Sequence, residues 1–149
     1  MASTTYRSVQ WAWYPFPILV VIAAIVIFGL SSDDIDPAWL WSGVAFIVLM
    51  LWIVLTFSRL VVTVDAAAIT AAFGPGWPKK VIPMSDVVSA ETVRNTWWYG
   101  WGIRWLPGGT WMYNVQGLDA IEVERRGAAP FRIGTDDPMA LLQAIRDVM

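Results

Sequence analysis

The chain contains neither cysteine nor histidine. That excludes a disulfide framework, a cysteine-based zinc site, a cysteine nucleophile, and histidine as general base or metal ligand. Charge is also scarce: ten basic and twelve acidic side chains among 149 residues leave a net charge of -2, with 15% of residues charged. There is no basic stripe for nucleic acid and no long polybasic run for anionic lipid. Phosphate loops are missing too. Gly100-x-Gly102 lacks the third glycine of a nucleotide loop, and no helix follows whose N-terminus could hold a phosphate. Without a nucleophile and base pair or a metal cluster, the expectation is a non-catalytic protein that needs no cofactor.

Apolar and aromatic surface is what the chain has in excess. It is 57% hydrophobic with 11 tryptophans, and its mean hydropathy of +0.54 is too high for an ordinary soluble domain. Two uncharged runs account for much of this. The first, residues 11–30, opens with Trp11-Ala12-Trp13-Tyr14-Pro15-Phe16-Pro17 and continues as Ile18 to Leu30. The second, residues 38–58, follows Asp36-Pro37, an N-cap residue and a first-turn proline. Each is about 20 residues, the length that crosses a ~30 Å hydrocarbon core. Trp11, Trp13, Tyr14, Trp39, Trp41 and Trp52 suit the interfacial belts. A cleaved leader is the alternative for the first run, since Gly29-Leu30-Ser31 is a small-x-small site. The single Arg7 ahead of it and the second run directly after it argue against that reading.

Arg7 precedes the first run, none of the basic residues lies between the runs, and Arg59, Lys79 and Lys80 follow the second. The positive-inside rule therefore places both termini in the cytoplasm and the turn with Asp33, Asp34 and Asp36 outside. Those three carboxylates are read as a solvated turn, because a Ca²⁺ site needs six or more oxygens in a fixed cage.

From residue 60 the pattern changes to short alternating bursts divided by turn residues. Expected strands cover 60–64, 68–73, 79–83, 87–94, 110–115, 120–124 and 131–133, with turns at Asp65-Ala66-Ala67, Gly74-Pro75-Gly76, Met84-Ser85-Asp86 and Arg125-Arg126-Gly127. In Ala120-Ile121-Glu122-Val123-Glu124 the alternation points Ile121 and Val123 inward. Asp136 and Asp137 are expected to serve helix capping. With Pro138 they open a final helix whose Leu141, Leu142, Ile145 and Val148 form one apolar stripe. About seven strands and one helix describe a partly open barrel or orthogonal sandwich.

Phe73-Gly74-Pro75-Gly76, Ile82-Pro83-Met84-Ser85-Asp86-Val87, Gly100-Trp101-Gly102-Ile103-Arg104, Gly117-Leu118-Asp119-Ala120 and Arg132-Ile133-Gly134-Thr135-Asp136-Asp137-Pro138 carry a resemblance. Over residues 60–149 the pattern resembles bacterial pleckstrin-homology-like (PH-like) domains of small membrane proteins. The resemblance implies a seven-stranded barrel capped by a C-terminal helix, and a bacterial inner-membrane setting. It does not extend to phosphoinositide binding: the first hairpin loop, Asp65-Ala66-Ala67, is short and acidic. Lys79 and Lys80 offer only a weak anionic-lipid contact, at roughly 1 kcal/mol each.

The aromatic segment Trp97, Trp98, Tyr99, Trp101, Arg104, Trp105 and Trp111 is the candidate site. Membrane contact, core packing and a protein-partner surface are all open to it, with the first preferred because tryptophan favours the interface and the domain starts directly after the second run. Pro107-Gly108 suits a tight turn that would pair 103–106 with 110–113. Arg104 could stack on a ring and leave its charge near phosphate.

These readings combine into a multi-pass membrane protein. Residues 1–59 form a tail and a two-helix transmembrane hairpin, and residues 60–149 a cytoplasmic PH-like domain. Its expected role is a binding or scaffolding module held at the inner leaflet, with the lipid bilayer and a membrane or cytoplasmic protein as partners and no nucleic acid. The alternative is an accessory subunit of a membrane transport or proteolytic complex, assembled through the hairpin. Because the chain lacks cysteine, topology is directly testable with single replacements Ser3→Cys, Ser32→Cys and Ser89→Cys. In intact cells a membrane-impermeant maleimide should label only position 32, and labelling at 89 would overturn the orientation.

Overall fold

The computed structural model describes residues 6–31 and 36–149. The chain is mainly β with a C-terminal helix, but its elements do not follow the expected order of anchor first and domain second. The order is β1 (Tyr6–Trp11), α1 (Pro15–Leu30), α2 (Pro37–Phe57), β2 (Arg59–Val64), β3 (Ala68–Phe73), β4 (Lys79–Pro83), β5 (Val87–Arg94), β6 (Gly102–Trp105), β7 (Trp111–Asn114), β8 (Asp119–Arg125), β9 (Ala128–Gly134) and α3 (Pro138–Arg146). Short 3-10 turns, Met84–Asp86 and Trp97–Tyr99, precede β5 and β6.

One sheet has four antiparallel strands in the order β1-β2-β3-β4. The other has five in the order β5-β8-β9-β7-β6, antiparallel except for the parallel pair β7 and β9. Strict alternation builds the first sheet: Leu60, Val62 and Val64 of β2 and Ile69, Ala71 and Phe73 of β3 all turn into the core. Ile121, Val123, Phe131 and Ile133 supply the second sheet, and Leu141 and Ile145 of α3 close over them in the same cluster. Ile121 and Val123 are buried as the alternation requires, and Glu122 on the other face pairs with Arg132 at 2.5 Å. Burial pushes the phenol pKa of Tyr113, another member of this cluster, upward.

Local signals read from sequence are realised atom by atom. Asp36 accepts a hydrogen bond from the Ala38 amide at 2.7 Å, and Asp137 accepts one from Ala140 at 3.0 Å, with Pro37 and Pro138 in the first turns. The Asp65 carboxylate accepts from the amides of Ala67 and Ala68, fixing the first turn. β6 and β7 pair as Gly102↔Asn114 to Trp105↔Trp111 around Pro107-Gly108. Of the three aspartates between the helices, Asp33 and Asp34 lie outside the described residues, as do Ser3 and Ser32.

Three sequence expectations need correction. Residues 6–11 are no polar tail: they form β1, paired with β2 from Tyr6↔Val64 to Trp11↔Arg59. Periodicity does not reveal this strand, because its fully buried position is polar. Gln10 is 1% exposed, and its amide nitrogen donates across to the Gly134 carbonyl of β9 at 2.7 Å, joining the two sheets. The first apolar helix also starts later than the run suggests, since Trp11 is in a strand and α1 begins at Pro15. Finally, the described residues hold nine strands instead of about seven: β6 falls on the segment expected to pair with 110–113, and β1 is the addition. A domain boundary at 59/60 therefore separates β1 from the sheet it completes.

The helix pair is an insertion within the β1 to β2 connection. Three residues lead from β1 into α1, and Ser58 alone separates α2 from β2. The ladder continues beyond Trp11↔Arg59, with the Ala12 amide donating to the Ser58 carbonyl at 2.7 Å. We therefore expect that replacing residues 12–58 by Asn-Gly, a two-residue turn suited to antiparallel strands, gives a soluble, cooperatively melting domain. A fragment beginning at Leu60 should lose β1, expose the edge of β2 and aggregate. Equal thermal stability of the two proteins would contradict the role given to β1.

Candidate functional site: an aromatic collar at the foot of the helix pair

The foot of the helix pair is held by contacts from every direction. The Tyr14 hydroxyl, at the N-cap of α1, donates to the carbonyl of Phe57, the last residue of α2, at 2.8 Å. The Gly74 amide donates to the Arg59 carbonyl at 2.9 Å. Gly74 has φ +44°, and a Cβ there would stand 2.8 Å from the Thr56 carbonyl oxygen, so only glycine allows this close approach. From Phe57 a chain of rings enters the core: Phe57 to Phe73 at 5.2 Å, Phe73 to Tyr113 at 5.0 Å and Tyr113 to Phe131 at 5.0 Å. Contacts of this kind add roughly 0.5–1.5 kcal/mol apiece beyond their burial, so the helix pair and both sheets are coupled through packing.

All eleven tryptophans are exposed, from 39% at Trp101 and Trp111 to 77% at Trp39. Core packing, one of the three readings of the aromatic segment, is thereby removed for its tryptophans. The core is filled instead by Phe73, Phe131, Met112 and aliphatic side chains.

The segment divides into two parts. Trp101 stacks on Tyr14 at 5.7 Å, nearly parallel, and meets Trp13 edge-on at 6.3 Å, which puts it at the foot of α1. Trp97, Trp98 and Tyr99 form the turn just before it and touch one another edge to face. Trp105 and Trp111 pack edge-on at 4.8 Å at the other end of the β6–β7 pair, about 10 Å along the strand from Gly102. The loop at residues 95–101 shares the foot end of the second sheet with Gln10. The Asn95 amide donates to Leu118, next to β8, and β8 meets Gly134 at Ala120. Sequence reasoning missed Trp77. It is exposed and follows Gly74-Pro75-Gly76, the turn seated against Thr56, so the argument from amphipathic tryptophan already applied to it.

Arg104 does not stack on a ring among the described contacts. Its Nε donates to the Trp101 carbonyl at 3.0 Å, which folds the guanidinium back over Gly100. The cations that lie over aromatic rings are Arg59, 5.4 Å above the Trp11 ring, and Arg125, 5.9 Å from the Phe131 ring. Lys79 and Lys80 do not form a common patch, because neighbours on a strand face opposite ways. Lys79 is exposed, whereas Lys80 lines an opening of about 330 Å³ between the sheets with Ile103, Trp111, Tyr113 and Phe131. A larger open groove, about 480 Å³, lies where α2 meets the second sheet; Tyr14, Ile53, Val54 and Phe57 form one wall and residues 100–104 the other. No group of three or more acidic side chains capable of holding a metal occurs among the described residues.

These features define a two-sheet, mainly-β protein with an apolar helix pair inserted in its first strand connection and an aromatic collar where the two meet. No protein-family model matches the chain, and no curated protein or solved structure does so either.

Proposed function

We propose that the chain is a membrane-anchored, non-catalytic binding or scaffolding module, with α1 and α2 crossing the bacterial inner membrane as a hairpin and the β domain held at the cytoplasmic leaflet. The observation that carries this reading is the exposure of the helix pair. Seven large apolar side chains of α1 and nine of α2 are exposed. Leaving each in water costs about 1.5 kcal/mol or more, together more than the ~5–15 kcal/mol that stabilises a whole domain. A helix apolar on all sides belongs in lipid or against other helices. α2 has a 20-residue stretch, Ala38–Phe57, long and apolar enough to span; α1 is shorter, apolar over Pro15–Gly29. The Trp11 and Trp13 belt and local bilayer thinning accommodate the shorter helix.

The PH-like reading is supported by element order. Setting aside β6 and β7 as an inserted pair leaves seven strands and a closing helix. Such a domain supplies sheet edges and loops for a protein partner, and the short linkers restrict how it is presented. The alternative, an accessory subunit of a membrane transport or proteolytic complex, draws support from one feature: a wholly apolar cleft of about 180 Å³ between the helices, lined by Ile22, Ile25, Gly43, Phe46, Ile47 and Met50.

Bromolipid quenching tests the placement of the collar. In proteoliposomes, substituting Trp97, Trp98 and Trp101 together by Ser should lower the quenched fraction of tryptophan emission, whereas Trp105→Ser with Trp111→Ser should change it less. An unchanged quenched fraction in the first variant would remove the collar from the membrane surface.

A further inference from the structure

The groove between α2 and residues 100–104 combines an apolar wall with a cation. One wall, Ile53, Val54 and Phe57, belongs to the lower part of the apolar helix. The other is the segment Gly100-Trp101-Gly102-Ile103-Arg104, in which Gly100 and Gly102 both have positive φ, at +67° and +92°. This backbone turns the start of β6 toward the foot of the helices, where Trp101 is fixed by Tyr14. Pinned by its Nε bond to the Trp101 carbonyl, Arg104 lies on the groove wall; it has no acidic partner, and no bond from Nη1 or Nη2 is found among the described residues. Among the described residues no carboxylate lines the groove.

From this arrangement we infer that the groove is a binding site for one anionic phospholipid, with an acyl chain along Ile53 and Val54 and the phosphodiester on the free edge of the Arg104 guanidinium. The inference rests on the reading of α1 and α2 as a membrane hairpin and assigns a ligand to its foot. The apolar wall continues into the helix that would lie in lipid, so the groove runs from the depth of acyl chains to the Arg104 guanidinium on its other wall. A guanidinium whose Nη1 and Nη2 keep four unused N–H donors is matched in shape to a phosphate oxygen pair. A free phosphate ion would leave the apolar wall uncovered, and a neutral apolar ligand would leave the cation without a partner; an anionic lipid satisfies both. Gly100 fits this account: a Cβ there would lie 3.5 Å from Arg104 Nη2, in the space beside the guanidinium.

Native mass spectrometry of the full chain, released from detergent loaded with equal phosphatidylglycerol and phosphatidylcholine, provides the test. The wild-type chain should retain one phosphatidylglycerol in preference to phosphatidylcholine. Arg104→Gln should lower that preference about fivefold, the weight of one interfacial cation, while Arg104→Lys keeps most of it. Val54→Trp, which fills the apolar wall, should reduce retention of both lipids. Millimolar inorganic phosphate should not displace the bound lipid. An unchanged preference in Arg104→Gln, or displacement by phosphate, overturns the lipid site. Maleimide labelling of Ser32→Cys on proteoliposomes made from the same preparation separates the two levels of the argument. An inserted hairpin with no Arg104 effect overturns the site alone, whereas a hairpin that fails to insert overturns the membrane reading together with the site.

Discussion

The structure depends on the pairing of β1 with β2 at the point where the chain leaves the sheet and returns to it. Trp11 opposes Arg59, and the Ala12 amide reaches the Ser58 carbonyl one step further on. A helix pair of some forty residues is thus closed at its base by a β ladder. The entropic cost of closing so long a loop grows only slowly with its length, and six paired positions oppose it. Tyr14 bonding to Phe57, Gly74 packed on Thr56 and Trp101 stacked on Tyr14 all cluster around this closure.

A protein built this way transmits orientation. Helices on a flexible linker would leave the domain free to tumble relative to them, whereas here the last turn of α2 continues through Ser58 into β2, an inner strand of its sheet. Phe57 sits on Phe73, which touches Tyr113 and, through it, Phe131 of the second sheet. A displacement of α2 therefore meets close-packed aromatic rings, and packed interiors resist continuous deformation. That rigidity holds the collar residues and the groove beside Arg104 at one level relative to the helices.

Much of the domain was legible in the sequence because its determinants are local. Alternation placed Ile121 and Val123, short apolar bursts marked β2 and β3, aspartate and proline marked both capped helices, and Pro107-Gly108 marked the β6–β7 turn. β1 was hidden because Gln10, its most buried side chain, is polar, and its amide nitrogen finds its acceptor at Gly134, 124 positions away in sequence. No local pattern encodes such a bond. The aromatic segment was recognisable as unusual by composition, yet its division into a foot cluster and a distant Trp105–Trp111 pair depends on where β6 docks. Trp101 meeting Trp13 and Tyr14 is likewise a tertiary fact. Lys79 and Lys80 look like a basic pair only while the strand's alternation is ignored.

Amide hydrogen exchange on the full chain in lipid nanodiscs tests the central claim most directly, by comparing the amides of Ala12 and Gly74 with that of Val62 in the middle of β2. If the helix pair is welded into the sheet, Ala12 and Gly74, bonded to Ser58 and Arg59, will be protected in the same range as Val62 and will open only with the domain. Rapid exchange at Ala12 and Gly74 beside a protected Val62 would show the helices hinged on a loose connection, and would contradict the account.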